Sequence, residues 1–152
     1  MNKDNKTMNC FDLMPKDWTY MVKKAMNYRV FSDPMSSSVL VDIVSEEMDN
    51  VFHDKVISFQ FDDINRLINV RIISNNSNDI NIINQIFCNS IMKFCMQYRF
   101  IIENAVREVA GIQYERLITD IIENNQIMTL SQIVNIQTLP IPNGYSATLR
   151  FF

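Results

Sequence analysis

The spacing of apolar residues predicts two helices in the first third of the chain. Pro15 fits the first turn of a helix whose apolar face carries Trp18 and Met26. Asp33-Pro34 is expected to end this helix, because the residue before a proline is disfavoured in the helical region. Serines 36–38 offer N-caps for a second helix. Its apolar stripe is Leu40, Ile43, Val44, Met48, Val51 and Phe52.

Between residues 56 and 73 the apolar period changes from helical spacing to two, which is typical of half-buried strands. The residues expected to share a face are Ile57, Phe59 and Phe61 in the first run, and Ile68, Val70 and Ile72 in the second. Residues 62–66 lie between the runs and are rich in turn formers. This segment therefore predicts a β-hairpin with one buried face.

The helical period returns from residue 80 to residue 110. An unbroken helix of that length would extend about 46 Å at 1.5 Å per residue. Gly111 is expected to end or bend it, and a further helix is predicted over residues 112–122. The stripe of the long helix is Ile83, Phe87, Ile91, Phe94, Tyr98, Ile101, Ala105 and Val109.

The last part of the chain predicts a second hairpin. Residues 133–139 and 145–152 alternate as strands do, with residues 140–144 between them. Asn143-Gly144 is a strong hairpin signal, because both residues tolerate positive φ. The order of elements predicts an α+β fold: a mainly antiparallel sheet of about four strands, in two hairpins, packed by about four helices, one of them long. Residues 1–14 are expected to form a polar N-terminal arm, and residues 15–152 a single domain.

Composition then removes several classes of function. The chain has two glycines and one histidine among its 152 residues, so glycine-rich phosphate loops and histidine metal sites are not expected. We therefore predict no cofactor. A net charge of −3 makes nucleic acid an unlikely partner. No apolar run approaches the roughly 20 residues of a membrane span, and no signal peptide is visible. The bias towards Ile and Asn, which have AT-rich codons, fits a viral, phage or low-GC bacterial source. We expect the protein in the host cytoplasm or the virion.

Candidate catalytic groups are few. Asp49 and His53 lie one helical turn apart, with Glu46 one turn earlier, so they could form a metal cluster or an acid–base pair. The alternative is a solvated acidic face with a histidine at the helix C-terminus. Asp62-Asp63 fits turn formation better than metal binding. Cys88 and Cys95 fit free thiols that fill the core.

Candidate interface residues lie mainly at the two ends of the chain. The N-terminal segment is rich in aromatic residues and methionine, which are favoured at binding surfaces. The Pro-rich hairpin and the apolar last strand are suited to exchanging arms or adding strands to a neighbour. The predicted interface residues are Trp18, Met21, Tyr28, Phe31, Ile141, Tyr145, Phe151 and Phe152.

In size and in its helix–sheet–helix–sheet order, the chain is similar to the small ring-forming neck and tail-completion proteins of tailed phages. That resemblance implies a non-enzymatic structural or assembly subunit, a ring or connector component acting through contacts with copies of itself or with other subunits. Two alternatives remain open. One is a small viral protein that binds and inhibits a host factor. The other is a metal-dependent enzyme that uses Asp49 and His53.

Overall fold

The computed structural model describes residues 23–110 and 134–151. The predicted arm and the predicted helix over residues 112–122 lie outside these ranges. A π-helical turn, Met26–Val30, comes first, and a short 3-10 turn, His53–Lys55, follows the first long helix. The helices are α1 (Pro34–Phe52), α2 (Asn78–Gln97) and α3 (Arg99–Ala110), and the strands are β1 (Val56–Asp62), β2 (Leu67–Ile73), β3 (Asn135–Ile141) and β4 (Gly144–Arg150).

The strands form one antiparallel sheet in the order β1-β2-β4-β3. The two hairpins therefore join through their second strands, with Ile68 opposite Leu149 and Val70 opposite Ala147. These side chains are buried under the helices, whereas the other face of the sheet carries mostly polar residues. The predicted α+β class and mainly antiparallel sheet are confirmed.

An aromatic cluster connects the helices to the sheet. The ring of Phe31, just after the π-helical turn, stacks on Phe94 of α2 at 5.2 Å between centroids and meets Phe151 edge-on at 5.0 Å. Phe94 also stacks on Tyr98 at 4.4 Å, and Phe151 on Phe61 of β1 at 6.0 Å. Such pairs contribute about 0.5–1.5 kcal/mol each beyond the burial of their area, so the cluster holds both layers together.

Helix α1 begins earlier than the sequence predicted. Asp33 is the N-cap, and its carboxylate accepts a hydrogen bond of 3.0 Å from the Met35 backbone N–H. Pro34 occupies the first helical position, where its missing N–H removes no helical bond. The predicted capping serines are instead part of the helix, and Ser36 and Ser37 are buried. Asp33-Pro34 therefore starts a helix, rather than only ending one.

The predicted long helix is broken at Tyr98, which has φ −101° and ψ 18°. The predicted stripe is wrong at Ile101, just after the break, whereas Ala105 and Val109 of that stripe do pack on the core. Ile101, expected in the core, is 52% exposed, whereas Ile102 and Val106 are buried. Tyr98 keeps its ring on Phe94, and its backbone N–H still donates to the Phe94 carbonyl oxygen at 2.9 Å.

A β-bulge lies between Val56 and Ser58 at the start of β1. One extra residue reverses which side chains face the core. Ile57 was expected to share the buried face with Phe59 and Phe61, but it is 54% exposed, and Val56 packs on the core in its place.

The turn between β3 and β4 also differs from the prediction. Its two central residues are Pro142 and Asn143, and Asn143 has φ 68°. A proline followed by an asparagine at positive φ is typical of a type II turn. Gly144 already belongs to β4, where a Cβ would lie 1.8 Å from the Ile72 carbonyl oxygen. Glycine is therefore needed for close approach of two backbones, not for positive φ.

We expect Gly144→Ala to lower the free energy of unfolding by about 3 kcal/mol, at the upper end of the cost of overpacking, because backbone atoms must move to admit the methyl group. Asn143→Gly is the matched control one residue away. Glycine tolerates φ 68°, so its effect should stay within about 0.5 kcal/mol. Urea unfolding followed by circular dichroism measures both, and equal midpoints for Gly144→Ala and the wild type would contradict the argument.

Candidate interaction surface

The structure separates the predicted interface residues into four groups. Trp18, Met21 and Phe152 lie outside the described residues. Tyr28 lies on the π-helical turn and is 66% exposed, so it remains a candidate.

Phe31 and Phe151 belong to the core, because they are 2% and 0% exposed and pack against each other. This corrects their assignment to a surface. Tyr145 is half-buried on the core face of β4 opposite Ile72, and Ile141 is half-buried beside the hairpin turn. Of the eight predicted residues, Tyr28 is thus the one that the described structure places openly on the surface.

Tyr28 lines a groove between the π-helical turn and the β1–β2 loop. We call it the basic groove; it has a volume of about 580 Å³. Its lining residues are Lys23, Lys24, Asn27, Tyr28, Ser32, Ile64 and Arg66. It holds three cations and no carboxylate. Within the described ranges neither lysine makes an ion pair, so both charges are available to a ligand or partner.

The loop side of the basic groove is shaped by Asp62. Its carboxylate accepts hydrogen bonds from the backbone N–H groups of Ile64 and Asn65 and from the Asn65 side-chain amide. The Asn65 amide, and then the backbone bonds, lower the pKa of Asp62. Asp62 is therefore a turn former, as the sequence indicated. This tight loop leaves Ile64 92% exposed in the same groove as the exposed Tyr28, and grouped apolar side chains favour a contact role.

Arg66 forms the floor of the basic groove. Its backbone has φ 56°, and its carbonyl oxygen accepts a 3.0 Å hydrogen bond from the Phe151 N–H. Its guanidinium lies 5.5 Å from the Phe31 ring centroid, a cation–π distance. One terminal nitrogen, Nη1, is buried without a hydrogen-bond partner in the described structure. Contacts with the core therefore hold the Arg66 guanidinium in place, while its Nη1 donates no hydrogen bond within the described structure.

A second groove, the acidic groove, lies between α1 and β1 and has a volume of about 440 Å³. Its lining residues are Asp42, Ser45, Glu46, Met48, Asp49, Val56 and Phe59. Asp42, Glu46 and Asp49 follow one another at helical spacing, so their carboxylates share one side of α1. No cation lines this groove among the described residues. The two grooves thus have similar size and opposite charge.

The Asp49–His53 pair, a candidate for catalysis, lies at the end of α1. The imidazole Nδ1 is 3.8 Å from the Asp49 Oδ1, and the two side chains are 81% and 69% exposed. In residues 23–110 and 134–151, no group of three His, Cys, Asp or Glu residues is placed to hold a metal ion. His53 is instead the C-cap of α1, with φ 44° and ψ −117°, a conformation that only glycine adopts without strain.

Cys95 is not placed to act as a nucleophile. Burial raises the pKa of the Cys95 thiol to about 12, so it stays protonated at neutral pH. Cys88 is half-buried on the same helix. Cys95 therefore fills the core, as the sequence predicted.

The sequence did not predict a group of exposed apolar residues at the junction of α2 and α3. Met96 is 57% exposed, Phe100 65% and Ile101 52%. The guanidinium of Arg99 lies 4.7 Å from the Phe100 ring centroid. In the sequence, the available signal for this group was that Phe100 does not fall on the predicted apolar stripe. For Ile64, the signal was its position among turn-forming residues, on a loop too short to bring the side chain back to the core.

We expect His53→Gly to stabilise the protein by about 1 kcal/mol, because glycine removes the strain of the residue's backbone conformation. His53→Ala is the matched control: it removes the imidazole and keeps the Cβ, so its stability should not rise. Thermal unfolding at pH 7 measures both. An increase for His53→Ala equal to that for His53→Gly would assign the effect to the side chain and contradict the strain argument.

None of the described helices is both long and apolar enough to cross a membrane. No protein-family model, no curated protein and no solved structure matches this chain. The assignment of a function therefore depends on the surfaces described above.

Proposed function

We propose that this protein is a non-enzymatic assembly subunit, a ring or connector component of a viral or phage particle that acts through protein–protein contacts. Its partners are copies of itself and neighbouring subunits, and it works in the virion or in the host cytoplasm. Neither a cofactor nor nucleic acid has a role in this proposal.

The observation that carries the proposal is the wide distribution of exposed apolar side chains. They lie in three separate parts of the fold: the basic groove, the α2–α3 junction and the end of the sheet beside the Pro142-Asn143 turn. Scattered single apolar residues are normal on a protein surface, but grouped ones mark contact sites. The members are Tyr28 and Ile64 in the first part, Met96, Phe100 and Ile101 in the second, and Ile57 and Ile73 in the third.

Several contact surfaces suit a subunit that meets several neighbours. An inhibitor of one host factor would be expected to concentrate its apolar surface in a single patch, so the observed distribution favours assembly over inhibition. Aromatic residues are the side chains most enriched where interfaces gain their energy, and Tyr28 and Phe100 are the most exposed aromatic residues described.

Charge gives a second line of support. The basic and acidic grooves each carry three charges of one sign. Within one chain such segregation gains nothing, since separated exposed charges are screened by salt. Between chains, complementary charged surfaces select the partner and fix its orientation. The enzyme alternative has less support, because Asp49 and His53 stand exposed without a third ligand in the described structure.

The test is the native mass of the full chain. We expect light scattering or native mass spectrometry to give a defined species well above the 17.8 kDa of one chain, or a stable complex with proteins from neighbouring genes. A protein that stays monomeric in both settings and instead binds one host protein stoichiometrically would support the inhibitor alternative. An activity abolished by His53→Ala would support the enzyme alternative.

A further inference from the structure

The edge strand β1 connects the two grooves. Val56 and Phe59, near its start, line the acidic groove, and Ile64 and Arg66, just beyond its end, line the basic groove. β1 is the outer strand of the sheet beside β2, and within residues 23–110 and 134–151 no strand pairs with its other side. An open edge thus has opposite charges at its two ends.

We infer that two copies of this chain pair through their β1 strands, antiparallel and about a two-fold axis at Gln60. The inference rests on the proposed assembly function and names one partner for it, a second copy. The axis stands perpendicular to the sheet. The two four-stranded sheets become continuous, and both helical layers lie on the same side.

The symmetry of this arrangement follows from the sequence positions. A two-fold axis at Gln60 places Phe59 opposite Phe61 of the second copy, twice, and aromatic cross-strand pairs stabilise sheets. Val56 and Ile64 stand four residues on either side of Gln60. The acidic groove of each copy therefore approaches the basic groove of the other, at both ends of the seam.

Charge complementarity selects the orientation. Parallel pairing of the same two edges would place like-charged grooves at the same end of the seam and the two helical layers on opposite sides of the sheet, so neither groove would meet its opposite charge. The nearest opposite charges along the chain are Asp62 and Asp63 beside the basic groove and Lys55 beside the acidic groove. None of the three lines the groove of the opposite sign.

The other edge of the sheet is less suited to pairing. β3 contains Pro140, which lacks a backbone N–H and is typical of protected edges. β1 contains neither proline nor lysine. Its bulge at Val56–Ser58 leaves residues 58–62 as a regular segment, and this segment is centred on Gln60.

Charge reversal tests the contact between grooves. Lys23→Glu with Lys24→Glu, and separately Asp42→Lys with Glu46→Lys, should each raise the dimer dissociation constant by about tenfold or more. An equimolar mixture of the two variants should recover the dimer, because each groove then faces its opposite charge again. Arg71→Glu with Arg150→Glu, on the solvent face of the sheet, is the matched control and should leave the dissociation constant unchanged. Sedimentation equilibrium measures all four samples.

Cross-linking tests the strand and its register. Gln60→Cys places two thiols opposite each other at the axis, within disulfide reach, so mild oxidation should give a covalent dimer. Gln137→Cys is the matched control, because Gln137 lies in the same row of the same face on the other edge, through the pairs Gln60–Asn69, Asn69–Thr148 and Thr148–Gln137. It should cross-link no more than the wild type, whose native thiols set the background.

The outcomes separate this inference from the proposed function. A wild-type chain that is monomeric alone but enters a particle with other subunits overturns the inference and leaves the proposed function standing. An oligomer that cross-links through Gln137→Cys but not Gln60→Cys, or that ignores both charge reversals, also overturns the inference alone. A chain that is monomeric in every setting overturns both.

Discussion

The contact on which the rest of the structure depends is the position of the Phe31 ring between Phe94 and Phe151. Phe94 belongs to the helical layer and Phe151 follows the last strand of the sheet, so a single side chain joins both layers. The same ring lies beneath the guanidinium of Arg66. The basic groove is therefore fixed by the core: its two walls, the π-helical turn and the β1–β2 loop, meet at Phe31. A π-helical turn at this place fits the general association of such turns with functional sites.

Within the sheet, the pairing of β2 with β4 joins the two hairpins, as the Phe31 ring joins the two layers. The Asn69 side-chain amide donates to the Ser146 and Thr148 hydroxyl oxygens at 3.0 and 2.9 Å. These partners are 77 and 79 residues away in the sequence. Closing a long loop costs only slightly more than closing a short one, so a few such bonds and a buried row of apolar side chains can hold the two hairpins together. The missing side chain of Gly144 lets the backbones approach at the end of that row.

The element types and the pairing within each hairpin could be predicted from the sequence, because both depend on periodic patterns. The errors fall where a single residue changes the phase. Tyr98 breaks the helical stripe, the bulge at Val56–Ser58 exchanges Ile57 for Val56, and the turn at Pro142-Asn143 moves by one residue. A periodic pattern does not show at which residue the phase changes, because the apolar residues nearby fit the pattern both before and after the change.

The candidate surface was harder to predict for a different reason. Phe31 lies just after the π-helical turn, where the periodic pattern no longer indicates on which side its ring lies. Phe151 shares a strand face with Ala147 and Leu149, which favours burial, and its assignment to an interface depended instead on the apolar character of the last strand. The basic groove combines Lys23 and Lys24 with Arg66, which lies more than forty residues later in the chain. Only the fold brings these three cations together. The net charge of −3 is a sum over the whole chain, so it does not show that basic and acidic residues line separate grooves.

The two edges of the sheet differ in a way that bears on the size of an assembly. An open edge on both sides would allow sheets to add without limit, which is the route to fibres. Here Pro140 protects β3, and the bulge shortens the regular part of β1. A two-fold contact uses the same surface on both copies, so it closes once it forms. If the proposed pair forms, growth beyond it must use other surfaces, and Phe100 and Ile101 at the α2–α3 junction are exposed in the described structure. In the proposed pair, backbone bonds, charge and the Phe59–Phe61 contacts act at the seam, and the exposed side chains of the α2–α3 junction would remain for contacts between pairs.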